Sequence, residues 1–216
     1  AELISVARKG VLSRPDMLDR QLQRMLADDR ASALGTRFAS QWLRLQDLTK
    51  VEPDALSFPY YDEALADAMA QETELLFEHL VRDNRPAIEL VTADYTFVND
   101  RLARHYGIPG VTGPAFRKVT YPDDTRRGLL GHGSVLTLTS HGNRTSPVLR
   151  GKWVMEVLLG SPPPPPPADV PDLEATGEAK DGRLRSVADQ LAQHRASPAC
   201  SSCHNVIDPV GLPLHH

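Results

Sequence analysis

Residues 65–80 read LADAMAQETELLFEHL. Leu65, Ala68, Met69, Thr73, Leu76 and Leu80 recur at the three- and four-residue spacing of one helix face. The stretch holds no Gly or Pro, and Pro86 sets the limit that the helix cannot pass. The same period runs upstream. Leu18, Leu22, Met25 and Leu26 follow a start signal of Ser13 and Pro15, and Leu34, Phe38, Trp42 and Leu45 form a second stripe. Pro53, Pro59, Tyr60 and Tyr61 mark a loop between stripes. Asn99 to Tyr106 reads as a fourth, shorter helix closed by Gly107 and Pro109. These signals predict a mainly α chain whose first part packs as a helical bundle or array with a shared core. Glu72, Glu74 and Glu78 read as a solvated face of the long helix rather than as acid–base or metal carboxylates.

The texture changes after Pro109. Residues 107–125 are rich in Gly, Pro and Thr and predict loop, with a short strand at Phe116–Thr120. Residues 128–141, GLLGHGSVLTLTSH, are small, apolar and glycine-punctuated. Ser146-Pro147 is a helix opening, with Ser at the N-cap and Pro in the first turn; that helix should pass Trp153 and stop at Gly160. Pro162–Pro167 are consecutive prolines, excluded from helix and inner strand and suited to polyproline II. Ala168 to Gly182 is acidic and polar, an extended strap. Leu184, Val187, Ala188 and Leu191 predict a last amphipathic helix. The resulting division is a helical domain over 1–118, a loop-plus-helix segment over 119–160, a proline-rich strap over 161–182 and a cysteine-bearing segment over 183–216.

Composition narrows the function classes. The chain has 216 residues and a formal net charge of −4, with no basic field to hold a phosphate backbone, which argues against nucleic acid as a partner. No apolar run reaches the roughly 18 residues of a membrane span. Neither a Gly-x-x-x-x-Gly-Lys phosphate loop nor a Gly-x-Ser-x-Gly nucleophile elbow occurs. Two cysteines rule out a disulfide-stapled mini-fold and a four-cysteine metal site within the chain. Residue 1 is not Met and no secretory signal is visible, so a mature product or a cut fragment is expected.

Those two cysteines carry the chemistry. Cys200-Ser201-Ser202-Cys203-His204 fits Cys-x-x-Cys-His, the attachment signature of a c-type haem. Two thiols about one helical turn apart can each form a thioether to a vinyl group of one porphyrin, and the adjacent His204 can present its imidazole to the iron. Three other readings compete. A redox disulfide is expected near a βαβ pattern, which is absent from the sequence. A zinc site needs two further ligands, which only scattered histidines could supply. A structural disulfide over so short a loop stabilises little. After the motif, Asn205 to Gly211 reads NVIDPVG, a short helix ended by Asp208-Pro209. The chain stops soon after Gly211, so a truncated haem segment is expected, with His215 and His216 either native or remnants of a tag.

Several stretches together carry a resemblance: QRMLADDRA ending at Ala31, FASQWLRLQDL (38–48), ADYTFVNDRLARHYGIPG (93–110), the long tract from Arg126 to Pro167, and CSSCHNVIDPVG (200–211). The chain resembles the large multidomain c-type cytochrome-like proteins of planctomycetes and other environmental bacteria, whose sections are catalogued as planctomycete cytochrome C domains and domains of unknown function. The resemblance covers nearly the whole chain and is most specific from Arg126 to Pro167. It implies a segment from the later part of a longer secreted protein, one covalent haem c on Cys200, Cys203 and His204, and no particular reaction. Family members usually continue past the glycine with Phe-Ala-Leu-Glu-like sequence, where this chain has Leu212-Pro213-Leu214-His215-His216.

A sixth iron ligand would come from Met or His. Met155 lies in an apolar stripe and reads as core. His105, beside Tyr106, reads as a structural histidine; His79 and His194 read as half-exposed helix positions, and His132 as packed between glycines. His141, followed by Gly142, is the best candidate ligand, against a loop-fixing hydrogen bond to nearby hydroxyls. Arg144 or Arg150 could pair a haem propionate, since guanidinium matches a carboxylate with two parallel bonds; a structural salt bridge is the competing role. Trp153 reads as core. The functions in view are an electron-transfer module of a larger extracytoplasmic oxidoreductase, a peroxidase-like haem enzyme with an open distal position, and a non-enzymatic helical scaffold. The expected partners are a redox protein or neighbouring domains of the parent chain. In bacteria c-type haem is joined to thiols outside the cytoplasm, which with the resemblance implies a periplasmic or cell-surface home.

Overall fold

The computed structural model describes residues 2–165 and 186–214. The strap expected over Ala168–Gly182, the last two prolines of the run, Leu184 and the terminal histidine pair lie outside the described residues. The chain is mainly helical, as the periodicity predicts. In order come α1 (Glu2–Arg8), α2 (Pro15–Leu26), α3 (Ser40–Trp42), α4 (Glu63–Arg82), α5 (Glu89–Thr92), β1 (Tyr95–Val98), α6 (Asp100–Tyr106), β2 (Arg117–Thr120), α7 (Gly133–Leu138), α8 (Pro147–Trp153), α9 (Val187–Arg195) and α10 (Pro198–Gly211). Several joints are 3-10 or π-helical, notably Leu34–Ala39, Leu45–Lys50 and Val154–Leu158.

Two compact units arise, Ala1–Gln41 with Asp67–Leu129, and Trp42–Ala66 with Leu130–His216. They cut across the linear division read from the sequence, because residues 42–66 belong with the C-terminal segments.

In the first unit, Leu76 and Leu80 of α4 pack with Ala93 and Tyr95, and Leu90 and Phe97 close over them. Each leucine buried this way contributes on the order of 2 kcal/mol. β1 and β2 pair antiparallel, Tyr95 opposite Thr120 and Val98 opposite Arg117. β2 matches the expected strand, whereas β1 was not anticipated. Its Tyr-Thr-Phe-Val run suits a pleated surface, but four residues between helices give little period to read. Asn99 caps α6 by accepting from Leu102 N–H at 2.9 Å, and Gly107 ends it at φ 70°. Arg82 at the end of α4 donates to the carbonyls of Leu26 and Asp28, at 3.1 and 3.4 Å, and so satisfies the C-terminus of α2. The α2 stripe itself departs from expectation. Leu18, Leu22 and Met25 are about half exposed, and the buried residue is Gln21, which donates to Glu2 Oε1 at 2.9 Å. Phe38 of the second stripe is also exposed, because the π-helical turn around it shifts the spacing from the α-helical period.

The second unit is organised by α8 and α10. Ser146 caps α8, accepting from Leu149 N–H at 3.3 Å, and Pro147 fills its first position, as the dipeptide predicts. The π-helical turn Val154–Leu158 follows and the chain breaks at Gly160, φ 60°. α8 and α10 meet backbone to backbone: a methyl group on Gly151 would strike the carbonyl of Ile207, and one on Gly211 the carbonyl of Pro147. Residues 42–66 lie against this pair and its neighbours. Trp42 Nε1–H donates to Val157 O at 2.9 Å, Arg44 pairs with Glu156 at 3.2 Å, and Asp54 N–H donates to Gly142 O at 2.8 Å. Leu43, Leu45 and Leu48 are buried there, as are Trp153 and Met155, both in the core roles expected of them.

Candidate functional site

The site is built on the last two helices of the second unit. Ser186 opens α9 by accepting from Asp189 N–H at 3.1 Å, and Pro198 occupies the first turn of α10. Cys200 and Cys203 are therefore three residues apart on a true helix, and His204 stands one turn beyond Cys200. Both thiols are free; Cys200 is buried and Cys203 half-buried. α10 does not end at Asp208-Pro209 as expected. It continues through Pro209 to Gly211. Pro209 lacks the N–H that would bond the carbonyl of Asn205, yet the close crossing with α8 holds the last turn in place.

His204 Nδ1 lies 2.9 Å from Asp208 Oδ1. Asp208 is fully buried, and its second oxygen accepts from Arg195 Nη1 at 2.8 Å. A carboxylate paired with a guanidinium is an acceptor only, so the histidine nitrogen facing it carries the proton. In the neutral ring this leaves the Nε2 lone pair for a metal. His194 of α9 packs its ring edge-on against His204, centroids 4.7 Å apart. The sequence placed His194 at a half-exposed position; it is buried, and burial, then the neighbouring His204, holds its imidazole below the usual 6.5, with Asp208 opposing. Nothing in the sequence flags His194, because its partner lies on another helix.

The donor set fits a haem c: two free thiols a helical turn apart and one imidazole with an available nitrogen. Among the described residues, no group of three or more His, Cys, Asp or Glu side chains is gathered so as to hold a bare metal ion.

The remaining candidates lie on other elements. His141 is exposed in a tight turn, where its N–H donates to Arg144 O at 2.8 Å beside the Ser140–Thr145 bridge. Arg144 is half-buried in the same turn. Arg150 is buried; Nε donates to Thr139 Oγ1 and Nη2 to Thr145 Oγ1, each at 3.1 Å, and Nη1 bonds the Leu214 carbonyl. This guanidinium ties Leu214 to the turn, and its bonds within the protein go to two hydroxyls and a carbonyl rather than to a carboxylate. His105 belongs to the first unit and Met155 to the core of the second.

A second polar cluster escaped the sequence reading. Glu72, expected on a solvated face, is fully buried in the first unit. It accepts from Thr96 Oγ1 and from the Tyr106 hydroxyl, both at 2.5 Å. The Arg126 guanidinium lies 4.2 Å over the Tyr106 ring. Burial, then the Glu72 charge, pushes the Tyr106 and Tyr121 phenols well up, so both stay protonated, Tyr106 as a donor to Glu72. The partners come from positions 96, 106 and 126, far from Glu72 in sequence, so no local pattern announces them.

The geometry defines a mainly helical chain that carries Cys-x-x-Cys-His on a helix braced by a buried carboxylate. Residues 1–108 match the PSD4 model, a protein of unknown function (DUF1592), and residues 126–216 match PSCyt3, likewise a protein of unknown function (DUF1588). The chain belongs to the PSD4 family, and its residues 126–216 are similar to PSCyt3; both families are planctomycete cytochrome-associated. No curated protein and no solved structure matches it.

Proposed function

We propose that the chain is a haem-binding electron-transfer module of a larger extracytoplasmic c-type cytochrome-like protein. Cys200 and Cys203 would hold the porphyrin through thioethers, and His204 would offer Nε2 to the iron. The bound haem would supply one-electron exchange at the iron. The rest of the site orients and insulates: Asp208 fixes the His204 ring, Arg195 balances the buried carboxylate, and α8 supports the later part of α10. The observation that carries this reading is the helix bearing both free thiols with a histidine whose other nitrogen is already engaged. The family association with cytochromes supports it. A redox protein or neighbouring domains would serve as partners, and the periplasm or cell surface as location, since thioether attachment takes place there.

The test is expression of the chain with a haem-maturation system, followed by a reduced pyridine spectrum of denatured protein. A thioether-type band in the intact chain, lost in Cys200→Ala/Cys203→Ala, is expected. Unbound haem only, or stoichiometric zinc on the thiols, would sink the reading. A high-spin ferric spectrum would move it from electron transfer toward a haem enzyme with an open sixth position.

A further inference from the structure

Asp208 sits where a carboxylate is disfavoured three times over. It is fully buried, and an ionised group there costs several kcal/mol unless paired. It lies in the last turn of α10, where the helix dipole favours cations. It also precedes a proline inside a helix, a local arrangement the backbone resists. Such accumulated breaches of local preference concentrate at functional positions. What the carboxylate receives in return is specific: one oxygen takes His204 Nδ1 at 2.9 Å, the other takes Arg195 Nη1 at 2.8 Å. A plain helix–helix bridge would need only Arg195.

We propose that Asp208 is the positioning residue of the haem site, setting the tautomer and donor strength of His204, and that Arg195 moderates it by drawing charge from the same carboxylate. This rests on the haem reading above. A histidine whose Nδ1–H donates a hydrogen bond to a carboxylate becomes a stronger donor through Nε2, and a stronger donor would favour the oxidised metal. Removing the carboxylate should therefore raise the reduction potential. Removing Arg195 leaves the carboxylate with His204 as its only named partner, strengthening that hydrogen bond, and should lower it. Coulomb interaction alone would give the two removals opposite signs, so the readout a merely structural bridge would not move is the tautomer of His204.

The experiment has a haem-free arm and a haem-bound arm, both on the full chain. In the haem-free protein, long-range proton–nitrogen NMR of His204 should show the Nδ1-protonated tautomer, changing to a mixture in Asp208→Asn. An Nε2-protonated ring in the unaltered chain overturns the proposal, whether or not any variant folds. In the matured protein, the pyridine spectrum first establishes covalent haem. Its absence overturns the haem reading and this inference with it. With haem in place, a potential raised in Asp208→Asn, lowered in Arg195→Gln and restored toward the original in Asp208→Glu supports the assignment. Shifts of one sign in the first two variants, or none, overturn the inference while leaving the haem reading intact.

Discussion

Glu72 and Asp208 are two carboxylates taken wholly out of water, and the fold satisfies them in different ways. Glu72 is held by hydroxyl donors, Asp208 by charged or ring N–H donors. Hydroxyl bonds to a buried anion are strong because the alternative is a desolvated charge. Tyr106→Phe removes one donor from Glu72 and should destabilise the protein by about 1–3 kcal/mol, read as a lower urea midpoint with unchanged slope. His105, on the same helix as Tyr106, provides a pH test. Burial, then the Arg126 and Arg101 charges, lowers its pKa from 6.5 in the folded chain. The unfolded chain therefore binds the proton more readily. The stability this contributes is complete above about pH 6.5 and is lost as the pH falls through that value toward the folded pKa. Urea midpoints measured from pH 7.5 to 5 should decline, and more shallowly in His105→Gln. An equal decline in both proteins would contradict the assignment.

At the scale of elements, the crossing of α8 and α10 is the tightest joint of the second unit. Neither Gly151 nor Gly211 has the left-handed backbone that demands glycine, so their requirement is purely one of space. Gly151→Ala and Gly211→Ala should each cost at least about 2 kcal/mol, in the upper part of the overpacking range. Ala is otherwise the better helix former, so a stabilised variant would show that the helices do not approach as described. Much of this level is legible in the sequence. The α4 stripe, the Ser146-Pro147 opening and the stop at Gly160 announce themselves through period and cap chemistry. The π-helical turn at Leu34–Ala39 does not, since it alters the period by which Phe38 would be placed. The α2 face is equally opaque, because a stripe of leucines shows amphipathicity but not what covers it. The Cys-x-x-Cys-His motif is legible because its spacing is local. Its supporting residues are only partly so: Asp208 stands one turn from His204, whereas His194 and Arg195 arrive from another helix.

At the scale of the molecule, the two family matches and the two compact units have different boundaries. Residues 42–66 lie within the PSD4 match, yet they pack with residues that belong to the PSCyt3 match. The bonds of Trp42, Arg44 and Asp54 to Val157, Glu156 and Gly142 are the joints. A fragment of residues 126–216 should accordingly lack part of its core. It keeps Trp153 as its sole tryptophan, and we expect red-shifted emission and a broad, non-cooperative urea transition compared with the full chain. A sharp transition with a blue emission maximum would show that the second match folds unaided. No such dependence could be read from the sequence, because each joint links positions far apart along the chain.

The segment 42–66 therefore has a bearing on inheritance. A genetic crossover between positions 108 and 126 falls between the two catalogued stretches and would look harmless in a map of the gene. It would nonetheless hand each offspring protein part of another lineage's hydrophobic interior, so descent should keep the two stretches travelling together.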